Sequence, residues 1–232
     1  MSQPRFTIVI AVKSPERGKS RLSDLPRRQR AALARAFAAD VIAVAVDTAG
    51  PGGVLVVSDD DGIAKLTRDL AAVPVAERPA GGLNPALRLG RDAAVRLRPG
   101  TAIVALQGDL PAIRINELRS AIEEAELRSS ASFVPDATGS GTALLYWPDA
   151  PTFRPSFGEQ SAQRHRDYGA VDLTADSQSS DARWAGLRRD VDTTSDLTEA
   201  IALGVGPATR AVVETELGPW TTIERGGGDL SP

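Results

Sequence analysis

Short apolar runs rich in β-branched residues alternate along this chain with longer alanine- and arginine-rich segments whose apolar positions recur at helical spacing. Phe6–Val12 (FTIVIAV) reads as a buried strand, and the spacing across Arg27–Val46 predicts a long helix. The alternation continues with a strand at Gly53–Ser58, a helix at Asp60–Leu70, a short strand near Ala72–Ala76 and a helix at Pro85–Leu97. A further strand, Thr101–Gln107, precedes a helix at Arg114–Arg128. Strands that are apolar at nearly every position are covered on both faces. Separated by helices, they indicate βαβ crossovers and a parallel sheet.

The second half changes character. Ala131–Asp136 and Thr142–Trp147 read as strands joined by a glycine-containing loop, with another short strand at Ala170–Leu173. A serine-rich stretch, Asp176–Asp181, reads as a surface loop. A last helix near Ser195–Leu203 follows a Thr-Ser-Asp cap pattern in which Asp196 is a capping residue, and the glycine-rich tail Glu224–Pro232 is expected to be disordered. The expected organisation is a single α/β domain over residues 1–223, with no repeat and no separating linker.

Composition narrows the chemistry. There is no cysteine and one histidine, His165, which excludes disulfides, thiolate zinc sites, a cysteine nucleophile and a multi-histidine metal centre. The formal net charge of −3 gives no general attraction to nucleic acid or to anionic membranes. No run of apolar residues is long enough to span a bilayer and the N-terminus lacks a signal-peptide pattern, so a cytoplasmic location is expected. Catalysis must rest on carboxylates, lysines, hydroxyls and backbone amides.

Ligands of open parallel sheets bind at the carboxyl ends of the strands. AVKSPERGKSRL follows the first strand and carries Lys13, Lys19 and Arg21, which suit phosphate or an ordinary solvated basic loop; the spacing is not that of a P-loop. QGDLPA ends the central strand, where Asp109 either ligates a hard cation through oxygen or caps the following helix. In RRDVDTTSDL, Asp190 and Asp192 project to the same side of an extended segment, and a like-charged pair of that kind needs a cation or exposure. The turn-rich Gly139–Thr142 and Phe157–Ser161 are loops or anion-binding turns, and His165 reads as structural rather than as a base. Together these features favour Mg²⁺-dependent phosphoryl or nucleotidyl transfer. A phosphate nucleophile is already ionised and needs no general base.

The motifs AVKSPERGKSRL, VVSDD, GLNPAL, LQGDLPA, GSGTALL, SFGEQSAQRH and DVDTTSDL, in this order, resemble the guanylyltransferases of coenzyme F-420 biosynthesis from about Phe6 to Val212. The likeness is greatest to the phosphoenolpyruvate guanylyltransferases, beside the 2-phospho-L-lactate enzymes. It implies a three-layer Rossmann-like nucleotidyltransferase fold with a mostly parallel central sheet, and GMP transfer from GTP to phosphoenolpyruvate. The products would be enolpyruvoyl-2-diphospho-5′-guanosine and pyrophosphate, the former passed to a downstream transferase. By the same resemblance Asp109, Asp190 and Asp192 bind Mg²⁺, and Lys13, Lys19 and Arg21 meet the GTP phosphates. Thr142, Gly158 and Ser161 hold the acceptor, and Asn84 lies near the guanine. Ser140 departs from the family pattern, standing where a threonine is usual. The alternatives are 2-phospho-L-lactate or 3-phosphoglycerate as acceptor, a glycosyltransferase using a nucleotide sugar, and a non-catalytic nucleotide-binding protein.

Overall fold

In the computed structural model, which describes residues 5–175 and 183–218, the first apolar run forms β1 (Phe6–Ala11), buried almost throughout. Strands β2 (Val54–Ser58) and β4 (Ala102–Leu106) flank it in parallel, and β3 (Val73–Ala76) lies beyond β2. On the other side, β6 (Thr142–Trp147) runs antiparallel between β4 and β5 (Ser132–Pro135), and β7 (Val171–Asp172) pairs in parallel with β5. The described residues thus form a seven-stranded sheet of order β3-β2-β1-β4-β6-β5-β7, in which β6 alone opposes the rest. This is the mostly parallel sheet that the apolar runs require, and the glycine-containing loop makes β5 and β6 a hairpin.

Successive residues of a strand face opposite sides of the sheet. Ile8, Ile10, Val56 and Val104 pack against one helical layer, formed by α1 (Arg27–Ala49), α2 (Asp61–Asp69) and α4 (Ile115–Arg128). Val9, Val57 and Ile103 pack against the other, formed by α3 (Leu83–Leu97) and α5 (Ser161–Asp167). The three layers match the expected class. A third apolar cluster lies to one side, where Leu22, Leu33, Phe37, Ala112 and Val191 meet Leu197 and Ala200 of α7 (Thr194–Leu203).

Boundaries shift where caps decide them. Helix α1 runs on to Ala49 and stops at Gly50, whose φ of 76° ends it. Helix α7 begins at Thr194 behind a reciprocal Thr193/Asp196 capping box, the role read for Asp196. Short elements were not legible, among them α6 (Ala185–Arg188), α8 (Pro207–Val212) and the π-turn Val213–Leu217. Each is too short to show a period, and α8 depends on a distant group. Asp40, buried within α1, accepts 2.9 Å hydrogen bonds from the amides of Ala208 and Thr209. The stretch Asp176–Asp181 and the tail Glu224–Pro232 lie outside the described residues. Among the described residues, no helix is long and apolar enough to cross a membrane.

Helix α3 approaches the sheet through Gly90, where a Cβ would run into the side chains of Val9 and Val57. Both valines belong to parallel strands and cannot withdraw. We expect Gly90→Ala to destabilise the protein by about 1–3 kcal/mol, read as a lower urea midpoint with an unchanged slope.

Candidate active site

The carboxyl edge of the parallel strands gathers most of the polar groups that the sequence singles out. Beyond β1, Lys13 stands exposed and the chain turns through Pro15–Arg17. That turn is tied to the end of β2 by Ser14, which donates to Asp60 (3.0 Å), and by an ion pair between Arg17 and Asp59. Lys19 follows in the left-handed region (φ 54°), an uncommon conformation for a residue with a side chain. Its stem is buried, and Nζ reaches Asp109 at 2.5 Å and Asp192 at 3.1 Å. Arg21 reaches Asp192 from the solvent side at 3.3 Å. Leu22, the next residue, is fully buried in the third apolar cluster and anchors the end of the loop.

Asp109 lies beyond β4 but does not cap the next helix. That helix starts at Ile115, and its cap is Arg114 with Glu117. The capping alternative is therefore excluded, and Asp109 is left facing the crevice. Its carbonyl accepts the amide of Val191 at 3.1 Å, and Val191 is fully buried. With Val191 inward, the flanking Asp190 and Asp192 turn the other way, as their alternation predicts. Glu117 braces the same segment by accepting the amides of Gly186 and Leu187, each at 3.0 Å. Gly186 must lack a side chain here, because a Cβ would overlap the carbonyl of Ala112.

The charge balance is uneven. Asp190 is pushed up to about 7, first by burial and then by the nearby carboxylates of Asp109, Asp136 and Asp192, with Lys19 opposing. Lys19 is held above the usual lysine range; burial disfavours its charge, but Asp109 and Asp192 outweigh that. Asp109 Oδ1 is buried with no hydrogen-bond partner among the described residues. Among the described residues no three carboxylates stand together as a metal cage, and the Lys19 ammonium bridges Asp109 and Asp192. The donor set nevertheless fits a hard divalent cation: carboxylate oxygens in excess of positive charge, one of them bare. Asp136 is the member the sequence did not reveal. Just past β5, before a glycine turn, it resembles an ordinary turn residue, and its charge acts on Asp190 only in the folded chain.

A second group lies beside the first. Gln107, two residues before Asp109, donates to the Thr142 carbonyl at 3.0 Å. The Thr142 hydroxyl is buried, 2.9 Å from His165 Nδ1, and accepts from Ser161 at 3.1 Å. Gly158 is exposed, with φ 116°. Asn84 enters through its neighbour, since its amide both accepts from Phe157 N–H (2.8 Å) and donates to Phe157 C=O (3.0 Å). Both faces of that amide are thus committed to the Phe157 backbone, which fastens α3 to the turn. His165 is fully buried and its pKa falls to about 4, first through burial and then through the Arg164 charge. The structural reading of this histidine holds.

Residues 6–217 match the family described as "Guanylyl transferase CofC like". The chain belongs to that family. A phosphoenolpyruvate guanylyltransferase of Streptomyces coelicolor is 43% identical over 212 residues, covering 90% of this chain and 95% of that protein. The enzyme of the same name from Geodermatophilus obscurus is 42% identical over 214 residues, covering 90% and 94%. Among solved structures, a nucleotidyl transferase from Methanothermobacter shares 18% identity with a TM-score of 0.54, covering 85% of this chain and 97% of that one. A cytidylyltransferase from Leptospira borgpetersenii shares 14% with a TM-score of 0.55, covering 91% and 93%. These likenesses show the nucleotidyltransferase fold.

In a member of this family whose carboxylates crowd around one lysine, removing one charge relieves repulsion. The raised Asp190 pKa means that its penalty is full above about pH 7 and fades as the pH falls toward the ordinary carboxylate range near about 4. We expect Asp190→Asn to stabilise the protein in chelator by about 1–3 kcal/mol at pH 8, and to lose that advantage in acid. Thermal melts across this range check both the sign and the window.

Proposed function

We propose that this chain is a cytoplasmic, Mg²⁺-dependent guanylyltransferase that moves GMP from GTP to phosphoenolpyruvate, forming enolpyruvoyl-2-diphospho-5′-guanosine and pyrophosphate in coenzyme F-420 biosynthesis. The observation that carries this reading is the shortage of positive charge at the carboxyl edge. Asp109, Asp190, Asp192 and Asp136 cluster there; of the buried cations, Lys19 pairs with Asp109 and Asp192, while Arg188 donates to the carbonyls of Pro135 and Asp136. The names borne by relatives above 40% identity support the choice of nucleotide and acceptor.

Asp109, Asp190 and Asp192 would hold the metal, with Asp109 Oδ1 an oxygen that has no other partner among the described residues. Mg²⁺, when bound, neutralises the phosphate charge that develops during transfer. The chain's own groups account for the rest. Lys19 and Arg21 lie on the crevice side of the first loop, where an ammonium and a guanidinium stabilise a pyrophosphate leaving group; Lys13 stands exposed nearby. The acceptor's phosphate attacks the α-phosphorus of GTP in line, the bond to the β-phosphate oxygen breaks, and pyrophosphate departs. No general base is required. This agrees with a histidine that is buried and has both ring nitrogens engaged. Thr142, Gly158 and Ser161 form the acceptor side, within reach of β4 through Gln107. The product, an activated diphosphate, suits consumption by a second transferase.

Purified protein incubated with GTP, Mg²⁺ and in turn phosphoenolpyruvate, 2-phospho-L-lactate and 3-phosphoglycerate should release pyrophosphate fastest with the first, with product mass confirming the adduct. GTP binding without pyrophosphate release from any acid would instead establish a non-catalytic nucleotide-binding protein. Asp190→Ala and Asp192→Ala should each lower turnover about a hundredfold or more; Asp190→Ala leaves the melting temperature unchanged or higher, and Asp192→Ala, which takes a partner from Lys19, lowers it modestly. Wild-type turnover in either variant would remove that residue from the metal site.

A further inference from the structure

The chain's single histidine lies 23 residues from Thr142 in sequence and against it in space. Its ring is fully buried, with the Phe133 and Phe157 ring centroids 5.8 Å and 5.4 Å away. Both nitrogens have partners: the Ser156 amide donates to Nε2 at 3.1 Å, and Nδ1 lies 2.9 Å from the Thr142 hydroxyl. A backbone amide can only donate, so Nε2 must be bare and the proton of the neutral ring must sit on Nδ1. It follows that Nδ1–H donates to Thr142. Burial and the Arg164 charge keep the ring neutral near physiological pH.

The Ser156 amide that sets this tautomer is itself fixed. Arg164 donates to the Ser156 carbonyl at 3.2 and 3.1 Å and to its hydroxyl at 2.9 Å, and Asn84 clamps the next residue, Phe157. At the far end, the Thr142 oxygen accepts from both His165 and Ser161. Its lone pairs are occupied, so its own hydroxyl proton is what remains to be given. An anion reaching Thr142 therefore accepts that proton, with the Ser161 and His165 donors in place behind the oxygen. With the opposite tautomer, Thr142 would turn its proton toward Nδ1 and present lone pairs to the anion.

We propose that His165 is a positioning residue for the acceptor: held as the Nδ1–H tautomer by the Ser156 amide, it locks β6, α5 and the Ser156–Gly158 turn together and commits the Thr142 hydroxyl to donating toward the acceptor's anionic group. The proposal rests on Thr142, Gly158 and Ser161 forming the acceptor side. It makes His165 specific to the acceptor and indifferent to GTP, whose phosphates are assigned to the first loop.

Because the histidine is single, its imidazole ¹⁵N resonances are assigned without ambiguity. They should show a protonated Nδ1 and a bare Nε2 from pH 6 to 8; an Nε2–H ring or an imidazolium overturns the proposal, whatever the acceptor is. In kinetics, His165→Phe keeps a ring but loses both polar contacts, and should raise the KM for phosphoenolpyruvate about tenfold with the KM for GTP unchanged. His165→Asn retains a donor near the Nδ1 position and should recover most of that loss, whereas His165→Gln, whose polar end falls nearer Nε2, should not. Equal rises in both KM values, an unchanged acceptor KM, or Asn no better than Gln each overturn it, and the Asn and Gln comparison decides if the Phe variant fails to fold. If wild-type protein turns over no phosphorylated acid while the ring shows the expected tautomer, it is the acceptor reading that has failed.

Discussion

A lysine ammonium buried at the carboxyl edge of the sheet holds Asp109 and Asp192 together, and the surrounding architecture keeps that arrangement in place. Burying a charge is costly unless it is paired and hydrogen-bonded. Lys19 meets that condition, but its partners do not, because the carboxylates near it outnumber it. Asp190 responds by holding its proton to near neutrality, and Asp109 keeps one buried oxygen bare. A fold selected for stability alone would not retain this imbalance. It is the kind of site in which a perturbed carboxylate and a strained backbone at Lys19 are part of the chemistry.

Packing holds the acidic residues close against their repulsion. Leu22, Ala112 and Val191 are near neighbours in sequence of Arg21, Asp109 and the Asp190/Asp192 pair, and all three enter one apolar cluster beneath α7. Their burial fixes three separate loops by their apolar residues and leaves the polar neighbours facing the crevice. The Val191 amide on the Asp109 carbonyl sets the register between two of those loops. Glu117 and the side-chain-free Gly186 set the approach of the segment leading to Val191 against α4. The acceptor side is organised differently, by a polar chain running from the Ser156 amide through His165 to Thr142 and Ser161, enclosed by aromatic rings. Gln107, on the strand that leads to Asp109, connects the two halves.

Much of this was legible in the chain. The uniformly apolar runs declared a sheet buried on both faces, and the helical spacing placed α1 to α4 within a few residues; Asp190 and Asp192 flank the buried Val191, and their charges act on each other in the folded chain. Asp109 was ambiguous between cap and ligand because either role puts an acid after a strand. What removed the ambiguity was the start of α4 at Ile115, several residues later. Asp136 and Asp40 were invisible for a related reason. A buried acid identifies itself only through its neighbours, here Asp190 for one and the amides of α8 for the other.

Local sequence therefore determined the layers, the strand and helix identities, and the chemical type of each candidate group, since these follow from periodicity and side-chain chemistry over a few residues. Tertiary structure alone decided which charges meet. Lys19 and Asp192 are 173 positions apart and share a contact of 3.1 Å; His165 and Thr142 belong to different elements yet fix each other's protons. Such pairings depend on strand order and on which apolar neighbour is buried. Those are properties of the packed whole, and no local pattern encodes them.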